Sequence, residues 1–271
     1  MSPVDFEHPL AIKIRKQIVQ ALNDFNMITD GDRLMICVSG GKDSSILLAL
    51  LTEIQRRSER NFTLEATILD QKQPGFDAVA FKIWIENLGV KLNVIERDTY
   101  SIVKEKSVGK TFCSLCSRLR RAILYDFAFA QGFSKLALGH HRDDMIHTTL
   151  LNLFYVGTLA SMPPKLRSDD QRNILIRPLC YVAEKDLSEL ALAWAFPVIP
   201  CNLCGSQDGL KRQKMKQLMK DLEKDIPNIS ASIQTALGNI KPSQMMDQEL
   251  WDFKGLEAQT VVKTAEPLLE T

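Results

Sequence analysis

The chain has 271 residues, 45% hydrophobic and 25% charged, the mix of a globular protein with a sizeable core and not of a disordered, collagen-like or disulfide-dense one. Its 34 basic and 33 acidic side chains leave a net charge of +1, so a polyanionic partner has to be met by a local cluster. No apolar run approaches the ~18 residues of a membrane helix, and the opening MSPVDFEHPL carries Asp5 and Glu7 where a signal peptide needs an apolar core; the expectation is a cytoplasmic protein without a membrane partner.

From Pro9 to Phe25, apolar side chains recur at Leu10, Ile14, Ile18, Leu22 and Phe25, which predicts an amphipathic helix broken by Asp30-Gly31. RLMICV (33–38) is an apolar strand that runs into SGGKDS (39–44), and a helix apolar almost all round follows at 44–57. Further strands at 62–69, 91–96, 135–140 and 174–177 alternate with helices at 77–88, 114–131, 143–155 and 183–195. This alternation predicts an α/β fold with a five-stranded parallel sheet and helices on both faces. The connections 97–113 and 157–173 are long enough to be functional loops, the second a basic flap with Lys165, Arg167 and Arg172. Helices at 208–224 and 227–238 and a polar tail form a small C-terminal appendage. The expected division is an N-terminal helix (1–32), a sheet domain (33–200) and a C-terminal helical segment with tail (201–271).

Ser39-Gly40-Gly41-Lys42-Asp43-Ser44 sits between the first strand and its helix, where open parallel sheets bind ligands. Glycines open backbone amides to pyrophosphate oxygens, the two serines add hydroxyl donors, the helix N-terminus attracts an anion, and Lys42 brings a full positive charge. Asp43 would be repelled by phosphate unless it holds Mg²⁺ or acts on the nucleophile side. The string is neither G-x-x-x-x-G-K-[ST] nor G-x-G-x-x-G. The plain alternative is a strand–helix turn with a serine cap.

Of six cysteines, Cys37 and Cys180 suit a core, whereas Cys113/Cys116 and Cys201/Cys204 form two C-x-x-C pairs. In a reducing compartment such pairs read as metal ligands or a redox dithiol. Some 84 residues lie between Cys116 and Cys201, far beyond the ~15–20 of a zinc ribbon. Zinc, an iron–sulfur cluster and a dithiol therefore stay open. Arg118, Arg120 and Arg121 fall in the first two turns of the helix at 114–131, where cations are disfavoured by ~0.3–1 kcal/mol unless an anion sits there. Lys211, Arg212, Lys214 and Lys216 form a second cluster, a solvated face or a site for RNA phosphates. Asp143 and Asp144 open a helix after KLALGH, as caps or as groups that hold Mg²⁺ or ribose; Asp70 ends the second strand, placed for adenosine.

SGGKDS resembles the pyrophosphate loop of the N-type ATP pyrophosphatases, which activate an oxygen by transferring AMP to it. With LDQKQPGF (69–76), CSLCSRLRR (113–121), LGHHRDD (138–144), MPPKL (162–166), PCNLCGSQ (200–207) and DFKG (252–255), the chain resembles the tRNA 2-thiocytidine synthetases across residues 10–255. These sulfurtransferases convert cytidine 32 of the anticodon loop to 2-thiocytidine. The resemblance implies a PP-loop fold, with residues 33–200 as its ATP pyrophosphatase domain. It implies an ATP site made by Ser39, Gly40, Gly41, Lys42, Asp43, Ser44, Asp70, Gly139, His140 and Asp144, with Mg²⁺ and with Lys42 and Asp43 in the catalytic step. It implies a [4Fe–4S] cluster on Cys113, Cys116 and Cys204, Cys201 being spare; beside that site the basic clusters offer Arg118, Arg121, Lys165, Lys211, Arg212 and Lys214 as tRNA contacts. A cysteine desulfurase as sulfur donor and a homodimer follow from the same likeness. The competing readings are a zinc-bearing adenylating enzyme with another nucleophile and a redox-sensing RNA binder.

Overall fold

The structure, a computed structural model, describes residues 4–73, 76, 78–106, 112–197 and 207–257. The first helix, α1 (Pro9–Asp24), starts on a proline whose missing N–H costs nothing there, and His8 Nδ1 accepts from Leu10 N at 3.2 Å. It buries Ala11, Ile14, Ile18, Ala21 and Leu22, the stripe its spacing predicts.

The sheet is built around β1 (Arg33–Val38), with β2 (Thr63–Asp70) and β4 (Lys135–Leu138) parallel on either side. β3 (Leu92–Glu96) adds to β2 and β6 (Ile174–Ile176) to β4, both parallel. A sixth strand, β5 (Lys165–Arg167), pairs antiparallel with β6 and completes the order β3-β2-β1-β4-β6-β5. The expected parallel strands are all present, and the correction is this antiparallel edge inside the segment read as a flap. Three residues after a Pro-Pro pair carry no periodic signal, and their pairing is supplied by β6.

Both faces of β1 are covered, which is why its sequence is a continuous apolar run. Leu34, Ile36 and Val38 pack with α1, with α2 (Lys42–Arg57), with α3 (Val79–Asn87) and with α7 (Glu184–Trp194). Met35 and Cys37 face the other way, against Leu124 and Ala128 of α5 (Phe112–Ala130). The connection at 97–113 is not a bare loop: it holds α4 (Thr99–Lys106), which packs on α5 and buries Val103. Because α5 begins two residues earlier than its pattern suggests, Arg118, Arg120 and Arg121 lie beyond its first turn, where the helix dipole no longer disfavours them.

The expected single helix at 143–155 is α6 (Arg142–Leu151) followed by one π-helical turn, Asn152–Val156. Gly157 ends it at φ +78°, its N–H on the carbonyl of Asn152. The C-terminal helices α8 (Gln207–Asp225) and α9 (Ile229–Leu237) pack against α6, with Met215 and Met219 of α8 buried. At the amino ends of β1 and β4, buried Asp32 accepts from Lys135 Nζ at 2.5 Å, Thr29 N at 2.6 Å and Ser134 Oγ at 2.8 Å.

Candidate active site

SGGKDS closes the carboxyl end of β1 and starts α2. Gly40 takes φ +77°, a conformation that a residue with a Cβ rarely adopts. Ser44 Oγ organises the turn: it accepts from Ser39 N at 3.1 Å, donates to the Gly41 carbonyl at 3.1 Å and lies 3.2 Å from Ser39 Oγ. Ser45 Oγ donates to the same carbonyl at 2.9 Å. The hydroxyls thus hold the backbone so that the first amides of α2 face outward, the arrangement an anion needs. Just after β4, Gly139 passes so close that a Cβ would meet Ser44 Cα and N at 3.0 Å.

A cavity of about 500 Å³ opens here at the carboxyl edge of the sheet. The nucleotide loop contributes Ser39, Gly41, Asp43 and Ser44, and the segment after β4 contributes Gly139, His140 and Asp144. Gln71 after β2 and Cys116, Arg120, Arg121 and Tyr125 of α5 also line it. The Cys116 thiol donates to Gln71 Oε1 at 3.3 Å, and Gln71 Oε1 also accepts from Thr99 Oγ1 at 3.1 Å, which ties α5 and α4 to the end of β2. Cys37 reaches the floor of the same cavity; burial pushes its thiol up to about 12 even against the positive charge of Arg120, so it stays protonated and inert.

His140 is the titratable group that this environment changes most usefully. Arg177, buried after β6, donates from Nε to His140 Nδ1 at 3.4 Å and from Nη1 to the Pro163 carbonyl. The neutral ring therefore carries its proton on Nε2 and offers a donor. Desolvation first, then the charge of Arg177, lower its pKa to about 4; Asp144 acts in the opposite sense, and Arg212 and His141 add to the depression.

Lys42 and the aspartates are held by their own partners. Lys42 Nζ lies 2.8 Å from Asp43 Oδ1 and 3.9 Å from Glu184 Oε1, and Lys216 of α8 reaches Glu184 Oε1 at 2.7 Å. Burial would raise the Glu184 carboxyl, but the Lys216 hydrogen bond and the charges of Lys216 and Lys42 hold it below the ordinary range. Asp144 Oδ2 accepts from His141 N at 3.2 Å, capping α6. Asp143 Oδ2 accepts from Glu184 N at 2.8 Å and so joins α6 to α7, away from the cavity.

Other residues named from the sequence stand elsewhere. Asp70 turns to Lys72, accepting from its N at 2.7 Å and its Nζ at 3.0 Å, and does not line the cavity. Arg118 is exposed on α5, and Lys211, Arg212 and Lys214 are exposed on α8. Lys165 does not reach the cavity either: its ammonium donates to the Asn26 carbonyl and senses Lys135 and Asp32 at the amino ends of the strands. The side chain of Cys113, and Cys201 and Cys204 entirely, lie outside the described residues. Sequence reasoning missed Gln71, Arg177 and Glu184 as site residues. Gln71 stands inside a motif already noticed, and a basic residue closing a strand was the available signal for Arg177.

The parallel sheet with this loop at its carboxyl edge is that of a PP-loop protein, and residues 10–195 match the PP-loop domain family. The chain is 77% identical over 256 residues to a tRNA-cytidine(32) 2-sulfurtransferase of Bdellovibrio bacteriovorus, covering 94% of this chain and 99% of that one. A protein of the same name from Coxiella burnetii is 54% identical over 245 residues, 90% of this chain and 96% of that one. In three dimensions the chain resembles the U34-tRNA thiolase NcsA from Methanococcus maripaludis, solved with its [4Fe–4S] cluster. The TM-score is 0.68 over 86% of this chain and 80% of that one, a likeness of fold at 22% identity. The chain belongs to the tRNA-cytidine(32) 2-sulfurtransferase family.

Proposed function

We propose that the protein uses ATP to adenylate cytidine 32 of tRNA and then thiolates it to 2-thiocytidine. The observation that carries this reading is the shared cavity: the nucleotide loop and Cys116 line one space, so an activated base and a sulfur source can meet there. The cytosine O2 attacks the α-phosphate of ATP and pyrophosphate leaves. The amides at the start of α2 hold the departing pyrophosphate, and Lys42 offsets its charge. Asp43 and Asp144 carry the carboxylates that would hold the Mg²⁺ accompanying ATP. His140 donates from Nε2, and Gly139 lets the strand approach the loop. Asp70, held by Lys72 outside the cavity, is withdrawn from the adenosine side. A hydrosulfide then attacks carbon 2 and AMP departs with the former O2, a substitution that needs no oxidant.

Of the three cysteines only Cys116 has a described side chain, and its place in the cavity lining, one turn after Cys113 on the same helix, supports an iron–sulfur centre here. Cys113, Cys116 and Cys204 would hold a [4Fe–4S] cluster, and the chemistry it would supply is sulfur binding at iron. Arg118, Arg121, Lys211, Arg212 and Lys214 are the groups for tRNA phosphates; Lys165, held by Asn26, is withdrawn from this set. The sulfur comes from a cysteine desulfurase, the enzyme works in the cytoplasm as a homodimer, and residues 33–200 act as the ATP pyrophosphatase domain.

The test is anaerobic purification with iron, sulfide and zinc assays, followed by incubation with tRNA, ATP, Mg²⁺ and sulfide and nucleoside analysis. About four irons and four sulfides per chain and 2-thiocytidine at position 32 are expected. Zinc without iron, with AMP released but no thiolation, would point to an adenylating enzyme with another nucleophile. Binding of tRNA with no AMP formed would leave a non-catalytic binder.

A further inference from the structure

Phe154 is 56% exposed and Tyr155 is 47% exposed, both on the π-helical turn Asn152–Val156 that ends α6. Leu153 and Val156 on the same turn are exposed as well, and a contiguous apolar patch marks an interaction site. Cations flank this patch. Lys211 Nζ sits 4.8 Å from the centroid of the Tyr155 ring, and the charge of its neighbour Arg212 is felt at His140 in the cavity. The basic start of α8 therefore spans from the aromatic turn to the active site. Between Asp144 and Asp169 the chain carries no carboxylate at all. A surface of exposed rings beside cations, with no anions in the covering segment, is complementary to single-stranded nucleic acid, whose bases stack while its phosphates meet Lys and Arg. A second copy of this chain would bring the same positive charge against itself.

We propose that Phe154 and Tyr155 form a stacking platform for unpaired bases of the tRNA anticodon loop. This rests on the thiolation reading above. Asp144, in the first turn of α6, lines the cavity, and the helix ends at the turn, which at ~1.5 Å per residue sets the platform about 15 Å from that wall of the cavity, a gap that a few nucleotides bridge. Bases held on the turn anchor the loop while its neighbour is turned out of the stack into the cavity. The π turn, closed by Gly157, buries none of its residues and so leaves both rings off the packed core.

The experiment uses the full chain and a tRNA anticodon stem-loop bearing a fluorescent adenine analogue at an unpaired loop position. Wild type is expected to quench the fluorophore. Phe154→Ala and Tyr155→Ala should relieve quenching and weaken binding about five- to fiftyfold with the salt slope unchanged, while Tyr155→Phe keeps both. Lys211→Ala should instead lower the salt slope by about one. ATP-analogue binding and thermal melting check that the variants fold. If wild type binds tRNA and both alanine variants bind and quench like it, the platform is wrong and the thiolation reading survives. If wild type binds no tRNA, both fall. If the alanine variants split a wild-type dimer in sedimentation, the turn is a subunit contact and the proposal is overturned.

Discussion

A methyl group at position 139 would stand 3.0 Å from the Ser44 backbone, and backbone cannot step aside as a flexible side chain can. Gly139→Ala should therefore displace the nucleotide loop and weaken binding of a non-hydrolysable ATP analogue at least about tenfold; calorimetry that finds the same affinity would show the strand yielding freely. His140 gives a second expectation. Its folded pKa of about 4 lies below the ordinary 6.5, so the unfolded chain binds the proton first as pH falls. The stability from the neutral ring is whole above pH 6.5 and is lost on the way down to about 4. Urea unfolding across this window should show a slope that His140→Gln reduces, by of order 1–3 kcal/mol in total; equal slopes in the two proteins would refute the assignment. His140 itself stood in a motif, whereas Arg177, which sets its tautomer, is 37 residues away and could not be paired with it from sequence.

At the scale of elements, the amino ends of β1 and β4 are pinned by Asp32 and Lys135. Burial alone would raise the Asp32 carboxyl, but hydrogen bonds from Lys135, Thr29 and Ser134 outweigh it and hold the group ionised. Lys135→Met leaves that carboxylate buried without its cation, so a loss of about 3–5 kcal/mol is expected. The double variant with Asp32→Asn should recover much of it, and a double-mutant cycle in urea measures the difference. The pattern of strands and helices was readable because each is a local repeat of apolar positions. β5 and the π turn were not: one is three residues whose partner lies in β6, and the other differs from an α-helix only in hydrogen-bond spacing.

Across the whole molecule, Glu184 gathers the nucleotide loop, α6 and α8: its carboxylate meets Lys42 and Lys216, and its N–H donates to Asp143. Glu184→Gln should loosen α8 while sparing the sheet, read as faster amide exchange in residues 211–225 with β1 and β2 unchanged. Exchange that rises everywhere would mean a general loss of stability, and exchange that rises nowhere would mean that α8 is held by Met215 and Met219 alone. The same linkage keeps the basic face of α8 beside the cavity that the proposed reaction needs.

The order of strands and helices, the nucleotide loop between β1 and α2, and the two C-x-x-C pairs were determined by the sequence alone, since periodicity, glycine placement and spacing are properties of neighbouring residues. Tertiary structure decided which of the named residues share a space. Cys116 and Arg120 arrive at the loop on α5 and Gln71 from the end of β2, and Asp70 and Lys165 are drawn off by Lys72 and Asn26. Such choices depend on which distant charge or carbonyl a side chain meets once the sheet has closed, and only the folded chain brings those partners into reach.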